Sequence, residues 1–72
     1  MTTIDMPSPL TSRELEVLSR VATGLTNRQV ATRLNIAERT VRNHLSAIYR
    51  KLDATSRTEA VGVAVRRHWI TF

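Results

Sequence analysis

The sequence predicts an all-α fold, a compact bundle of four helices. Apolar residues recur every three or four positions along most of the chain, which is the period of one buried helical face. Only two glycines and two prolines occur among the 72 residues, so little here favours a turn-rich β-sandwich or barrel. Three Thr or Ser residues each precede a Glu or Gln by three positions, the spacing of a helix-capping box. The three capping boxes mark three helix starts, and a fourth start without a cap lies between the second and third boxes. The sequence therefore predicts four helices.

The length of the chain indicates one domain. A chain of 72 residues is near the lower size limit for a self-supporting core. We expect residues 10–72 to form that core, because the periodic apolar residues lie there. Residues 1–9 contain both prolines and have no apolar period, which predicts a flexible N-terminal segment or linker.

The residues that the sequence lacks exclude several classes of protein. There is no cysteine, so disulfide-stapled domains and cysteine-ligated zinc fingers are excluded. No apolar run approaches the roughly 20 residues needed to cross a bilayer, and residues 1–9 do not resemble a signal peptide. With only two histidines and no nearby carboxylate pair, no metal or cofactor is expected. The chain is expected to be soluble and cytoplasmic.

The first helix is predicted to begin after Thr11. The Thr11 hydroxyl can accept a hydrogen bond from the Glu14 backbone N–H while the Glu14 carboxylate accepts from the Thr11 N–H. Gly24 favours the left-handed residue that ends such a helix. Helical spacing predicts an apolar face made of Leu15, Leu18, Val21 or Ala22, and Leu25.

The second helix repeats this pattern over a shorter length. Thr26 and Gln29 have the capping-box spacing, which predicts a helix from Asn27 to Leu34. Asn35 tolerates left-handed backbone geometry, so it is expected to end the helix and turn the chain.

The third helix, Glu38 to Leu52, is predicted to begin without a side-chain cap. Ala37 occupies its N-cap position, where a methyl group cannot accept a hydrogen bond. The missing cap costs about 1 kcal/mol relative to Ser. Ser56 and Glu59 are predicted to form the last capping box, which opens a fourth helix over about residues 57–67.

The third helix has one apolar face and one polar face. At about 100° per residue, its apolar residues fall within roughly 60° of one another. They are Val41, Leu45, Ile48 and Leu52. On the opposite side lie side chains that can contact nucleic acid: Arg39, Asn43, Ser46 and Arg50, with Arg42 on their flank.

The positive charge is concentrated in the middle of the chain. Residues 24–52 carry six Arg or Lys residues and one acidic residue, which gives a net charge of +5. Residues 1–23 carry −1 and residues 53–72 carry +1. A basic face in the middle third fits a phosphate backbone, although a solvated helix face is the alternative interpretation of any charge run.

The second and third helices satisfy the requirements of a helix-turn-helix. The turn between them has three residues, Asn35 to Ala37, and the small residue Ala31 stands where the helices must approach. In such a motif the first helix braces the second, whose N-terminal half can enter the major groove of DNA.

Four segments of the sequence resemble one family. LTSRELEVL, GLTNRQVATRL, TVRNHLSAIYRKL and SRTEAV, in this order and spacing, are similar to the LuxR-type (GerE-like) helix-turn-helix domain of bacterial transcription regulators. The resemblance covers Leu10 to about Arg67. It implies a sequence-specific double-stranded DNA-binding domain, nucleoid-associated, that pairs weakly on DNA, with RNA polymerase as a further candidate partner.

The resemblance implies roles for residues at matched positions. It implies base contacts by Arg42, Asn43 and Ser46. It implies phosphate contacts by Asn27, Arg28, Thr40, Arg50 and Lys51. Val63 and Val65 leave apolar surface on the fourth helix, which is expected to form the dimer interface. The family commonly has glycine and leucine where this chain has His68 and Trp69. The segment from Arg66 to Trp69 is therefore expected to extend the helix, cap a hydrophobic edge or meet a partner.

Other interpretations stay open at this point. The main alternative is a four-helix protein-interaction module that has lost DNA binding, and a sigma-factor region resembling this fold is another. An enzyme is not expected, because no nucleophile, base or metal constellation occurs. Arg57 is expected either to pair with an acidic residue such as Glu14 or to contact DNA.

Overall fold

The computed structural model describes residues 8–71, and the regular structure in this range is helical throughout. The helices are α1 (Ser12–Ala22), α2 (Asn27–Leu34), α3 (Glu38–Leu52) and α4 (Arg57–Arg66). The predicted all-α fold of four helices is confirmed, and α4 ends one residue before its predicted end. The predicted flexible segment 1–9 lies outside the described residues except for Ser8 and Pro9, and Ser8 Oγ accepts a hydrogen bond from the Leu10 N–H.

Like α1, helix α3 lies at the centre of the fold, because it packs against each of the other three helices. Its predicted apolar face is confirmed, since Val41, Leu45 and Ile48 are buried and Leu52 packs partly buried against the core. The largest fully buried side chains come from three helices: Leu18, Ile48, Val17, Val30 and Val41. Helices α2 and α4 do not pack against each other, so α1 and α3 together hold them in place.

The first two helices begin with complete capping boxes. In α1 the Glu14 N–H donates to Thr11 Oγ1 at 3.1 Å, and the Thr11 N–H donates to Glu14 Oε1 at 2.9 Å. The corresponding bonds between Gln29 and Thr26 are 3.1 and 2.9 Å long. Both predicted boxes are confirmed, and each satisfies two N–H groups that have no acceptor inside the helix.

The predicted box at α4 is only half correct. Ser56 Oγ accepts from the Glu59 N–H at 3.1 Å, as predicted. The Glu59 carboxylate instead accepts from the Thr55 N–H at 2.6 Å and from the Thr55 hydroxyl at 3.0 Å. Thr55 offers two donors, whereas the Ser56 backbone offers one, and this difference accounts for the shifted partner.

The start of α3 leads to a testable prediction about stability. The structure confirms that Ala37 gives this helix no side-chain cap. Ala37→Ser is expected to raise the free energy of unfolding by roughly 0.5–2 kcal/mol, because the hydroxyl supplies the missing acceptor. Urea unfolding of both proteins measures the gain. Ala47→Ser, in the middle of α3, is a control that is expected to give no gain.

Each helix is followed by a residue with left-handed backbone. The predictions for Gly24 and Asn35 are confirmed, with φ of 94° and 58°. Asp53 and His68 adopt the same geometry, with φ of 54° and 62°, and were not predicted to do so. After α4 the His68 N–H donates to the Val65 carbonyl at 3.0 Å and the Trp69 N–H to the Ala64 carbonyl at 2.9 Å. This bond pair is a Schellman motif, which normally places glycine at the left-handed position.

His68→Gly is expected to stabilise the domain. The left-handed conformation costs a non-glycine residue about 1–2 kcal/mol, and the greater chain entropy of glycine in the unfolded state offsets part of the gain. The net expectation is about 0.5–1 kcal/mol in thermal or urea unfolding. Arg67→Gly is the control, since Arg67 has a φ of −91° and is expected to lose stability on the same substitution. A destabilised His68→Gly protein would contradict this account of the turn.

Candidate nucleic-acid interface

The polar face of α3 is exposed, as the sequence predicts. Its members lie opposite the buried face of the same helix: Arg39, Arg42, Asn43, Ser46 and Arg50. Among the residues that the structure describes, all of these side chains except that of Arg42 lack a hydrogen bond or ion pair. Three guanidinium or amide groups and one hydroxyl are therefore free to bind a ligand along about three turns of one helix.

Arg42 makes one weak contact within α3. Its Nη1 lies 3.5 Å from Glu38 Oε2, one helical turn earlier, and the two side chains are 56% and 47% exposed. Exposed ion pairs of this kind contribute little, because water and salt compete with them. Arg42 therefore remains available to a ligand, with most of its five N–H donors free.

Lys51 is bound to α1. Its Nζ donates to Glu14 Oε1 at 2.8 Å, and the Glu14 side chain is only 7% exposed while that of Lys51 is 33% exposed. Burial raises the pKa of Glu14, but the hydrogen bonds from Lys51 and from the Thr11 N–H outweigh burial, so the pKa is lowered overall. The pair joins the end of α3 to the start of α1. Lys51 keeps two further N–H donors, and its predicted phosphate contact stays a prediction.

The start of α2 is tied to α4 by Arg57. Its Nη1 donates to Asn27 Oδ1 at 2.9 Å and its Nη2 donates to the Leu25 carbonyl at 2.9 Å. The predicted pairing of Arg57 with Glu14 is wrong, since Glu14 is bound by Lys51. Arg28, next to Asn27, is exposed, and its side chain has no partner within residues 8–71.

The remaining predicted site residues are less exposed. Thr40 is partly buried in the first turn of α3. On α4 both Val63 and Val65 are partly buried, and Val65 packs against the core whereas Val63 does not. Part of the Val63 side chain therefore remains free for another surface.

The described part of the chain has neither a cluster of metal ligands nor a membrane-spanning helix. Between residues 8 and 71 no three His, Cys, Asp or Glu side chains lie close enough to hold a metal ion. Over the same residues, none of the helices has the length and apolar character needed to cross a membrane.

Comparison with known proteins identifies the family. The family of bacterial regulatory proteins called the luxR family (GerE) matches this chain over residues 8–64. The transcriptional regulatory protein YdfI of Bacillus subtilis (strain 168) is 45% identical over 62 residues, which cover 86% of this chain and 29% of that protein. The nitrate/nitrite response regulator protein NarP of Escherichia coli (strain K12) is 51% identical over 53 residues, which cover 74% of this chain and 25% of that protein.

A solved structure has the same fold. The structure of the transcription factor GerE matches with a TM-score of 0.85 at 31% identity, covering 90% of this chain and 97% of that chain. By contrast, the chain spans less than a third of the length of the two regulators. The chain therefore belongs to the luxR family of bacterial regulatory proteins and carries the DNA-binding helix-turn-helix domain of that family.

Proposed function

We propose that this domain binds specific sequences in double-stranded DNA, with α3 in the major groove, as part of a transcription regulator. The observation that carries the proposal is the exposed polar face of α3, whose side chains are free apart from the weak contact of Arg42 with Glu38, while the opposite face is buried in the core. A helix held in this way presents its side chains rigidly to a groove wide enough to admit it.

Three residues of this face are proposed to read bases. Arg42 carries a planar fork that matches O6 and N7 of guanine, and Asn43 can bind N6 and N7 of adenine. Ser46 is one helical turn beyond Arg42 and can donate to, or accept from, a neighbouring base.

Five residues are proposed to bind phosphates and set the register of α3 on DNA. Asn27 and Arg28 open α2, where backbone N–H groups lack acceptors inside the helix and favour an anion. Thr40 lies in the first turn of α3 and Arg50 in its last turn. Lys51 would contribute through the donors that Glu14 leaves free.

Selection of bound sites from a random duplex library tests the proposed function. We expect enrichment of a site with two half-sites about one helical turn, roughly 10 base pairs, apart. The enriched site should bind about a thousandfold or more tighter than unrelated duplex at the same salt concentration. A folded protein that enriches no sequence would instead favour the alternative of a protein-interaction module.

Two copies are proposed to pair on DNA through α4, with Val63 and Val65 at the contact. Val63→Glu is expected to leave half-site binding nearly unchanged while removing cooperativity on the full site, because it places a charge in a small apolar contact. Titration against duplexes with one and two half-sites measures both quantities. Thr58→Glu, an exposed residue of the same helix, is the control and should remain cooperative. Cooperativity that persists in Val63→Glu would exclude this face as the contact.

We further propose that the whole regulator works on the bacterial nucleoid, in the cytoplasm. RNA polymerase as a partner stays a prediction.

A further inference from the structure

Arg57 connects two helices that do not pack against each other. It is the first residue of α4, and its guanidinium reaches the Leu25 carbonyl and the Asn27 side chain at the start of α2. Within residues 8–71, no other hydrogen bond or ion pair joins α4 to this segment. Helices α2 and α4 do not pack directly against each other. In the described part of the chain, the hydrogen bonds of Arg57 are therefore the polar contacts that join α4 to the start of α2.

The contact also determines which way the Asn27 amide faces. A guanidinium has only donors, so the atom of Asn27 that meets Arg57 must be the carbonyl oxygen. The Asn27 NH2 group then lies on the opposite side of the amide. In the described part of the chain it has no acceptor, so both of its N–H donors are free to bind a ligand.

Both bonds are partly shielded from solvent. The side chains of Asn27 and Arg57 are half-buried, and hydrogen bonds that involve a charged group are stronger than neutral ones. The second bond, to the Leu25 carbonyl, fixes the guanidinium itself. Because the guanidinium is planar and one of its N–H groups is held by Leu25, the N–H group that meets Asn27 has a fixed direction, and this restricts rotation of the Asn27 amide.

We infer that Arg57 is a positioning residue for DNA binding, which orients Asn27 so that its NH2 group meets a phosphate without touching DNA itself. The inference rests on the proposed phosphate contact of Asn27. Because Arg57 acts through Asn27, the two residues should contribute to binding as one unit. An Arg57 that contacted phosphate directly would contribute independently of Asn27.

A double-mutant cycle on DNA affinity tests the inference. Asn27→Ala, Arg57→Met and the double variant are titrated against a duplex with one half-site, which removes pairing between copies from the measurement. Each single variant is expected to bind about fivefold more weakly, the effect of one hydrogen bond, and the double variant no more weakly than Asn27→Ala. Arg66→Met, which removes an exposed charge from the other end of α4, is the matched control and should bind within about twofold of wild type.

Urea unfolding of each variant separates binding from stability, and binding is measured under conditions in which all variants are folded. If Arg57→Met does not fold, Arg57→Lys takes its place in the cycle, since it keeps the charge but loses the fork. If Arg57→Met weakened DNA binding by the same factor in the wild type and in Asn27→Ala, Arg57 would act independently of Asn27. That result would overturn the inference. Unchanged binding by Asn27→Ala would also overturn it and leave the proposed function standing. A wild type that binds no duplex would refute the proposed function itself.

Discussion

Lys51→Met is expected to lower the free energy of unfolding by about 1–3 kcal/mol at pH 7. The substitution keeps most of the apolar stem and removes the ammonium that binds Glu14 at 2.8 Å. Glu14 then remains almost fully buried with a charge that Thr11, chiefly through its N–H, compensates only in part. We place the cost below that of a fully buried pair because Lys51 is a third exposed. Arg50→Met, an exposed neighbour with no ionic partner within residues 8–71, is the control and should change stability little.

The pH dependence of this loss identifies its cause. The pKa of Glu14 is lowered in the folded protein, so its contribution to stability is present above the ordinary glutamate pKa of about 4.3 and is lost as the pH falls through the lowered value. Without Lys51 the pKa should rise, because burial then dominates. The difference between wild type and Lys51→Met should therefore be largest at neutral pH and shrink below about pH 4.

Two further measurements check this explanation. Adding Glu14→Gln to Lys51→Met removes the unpaired charge and should restore part of the lost stability. The pKa of Glu59 is also lowered, chiefly because its carboxylate accepts a hydrogen bond from the Thr55 N–H. None of these substitutions changes that bond, so Glu59 does not affect the difference in stability between the variants. A deficit that stays constant from pH 7 to pH 3 would show that Lys51 stabilises the fold through packing of its stem rather than through Glu14.

The helix boundaries could be predicted because the signals that set them are local. A capping box involves residues three apart, and the left-handed ends at Gly24 and Asn35 involve residue types that favour this geometry. The division of α3 into two faces follows in the same way from the helical period. The left-handed backbone of Asp53 and His68 was not predicted, because glycine and asparagine are the residues most often found in this conformation. At these two positions the surrounding turn imposes the left-handed conformation.

The contacts that join the helices could not be predicted from local pattern. Lys51 and Glu14 are 37 positions apart, and Arg57 and Asn27 are 30 apart. No spacing rule connects residues so distant in sequence, and several acidic or polar partners were available to each cation. Only the packing of α1, α2 and α4 around α3 decides which of them meet. Which side chains of α3 are exposed was easier to predict, because the helical period that buries the apolar face of α3 also exposes the opposite one.

Arg42→Ala is expected to weaken binding to the preferred duplex by about 1–3 kcal/mol and to relax discrimination at one base pair. Arg42 is exposed on the polar face, and its weak contact with Glu38 at 3.5 Å is easily given up to a base. Binding to unrelated duplexes should fall much less, because it depends on the total charge. Affinities for the preferred site, for its single-base variants and for an unrelated duplex provide the measurement.

Arg50→Ala is the matched control for this experiment, because Arg50 is also exposed on α3 and is proposed to bind a phosphate. It should weaken all duplexes by a similar factor and lower the slope of log affinity against log salt by about 1. Lys51→Ala is unsuitable for this purpose, since it also removes the partner of Glu14. If Arg42→Ala lowered specific and non-specific binding by the same factor, Arg42 would be a phosphate contact like Arg50. Base reading would then rest on Asn43 and Ser46, which share its exposed face.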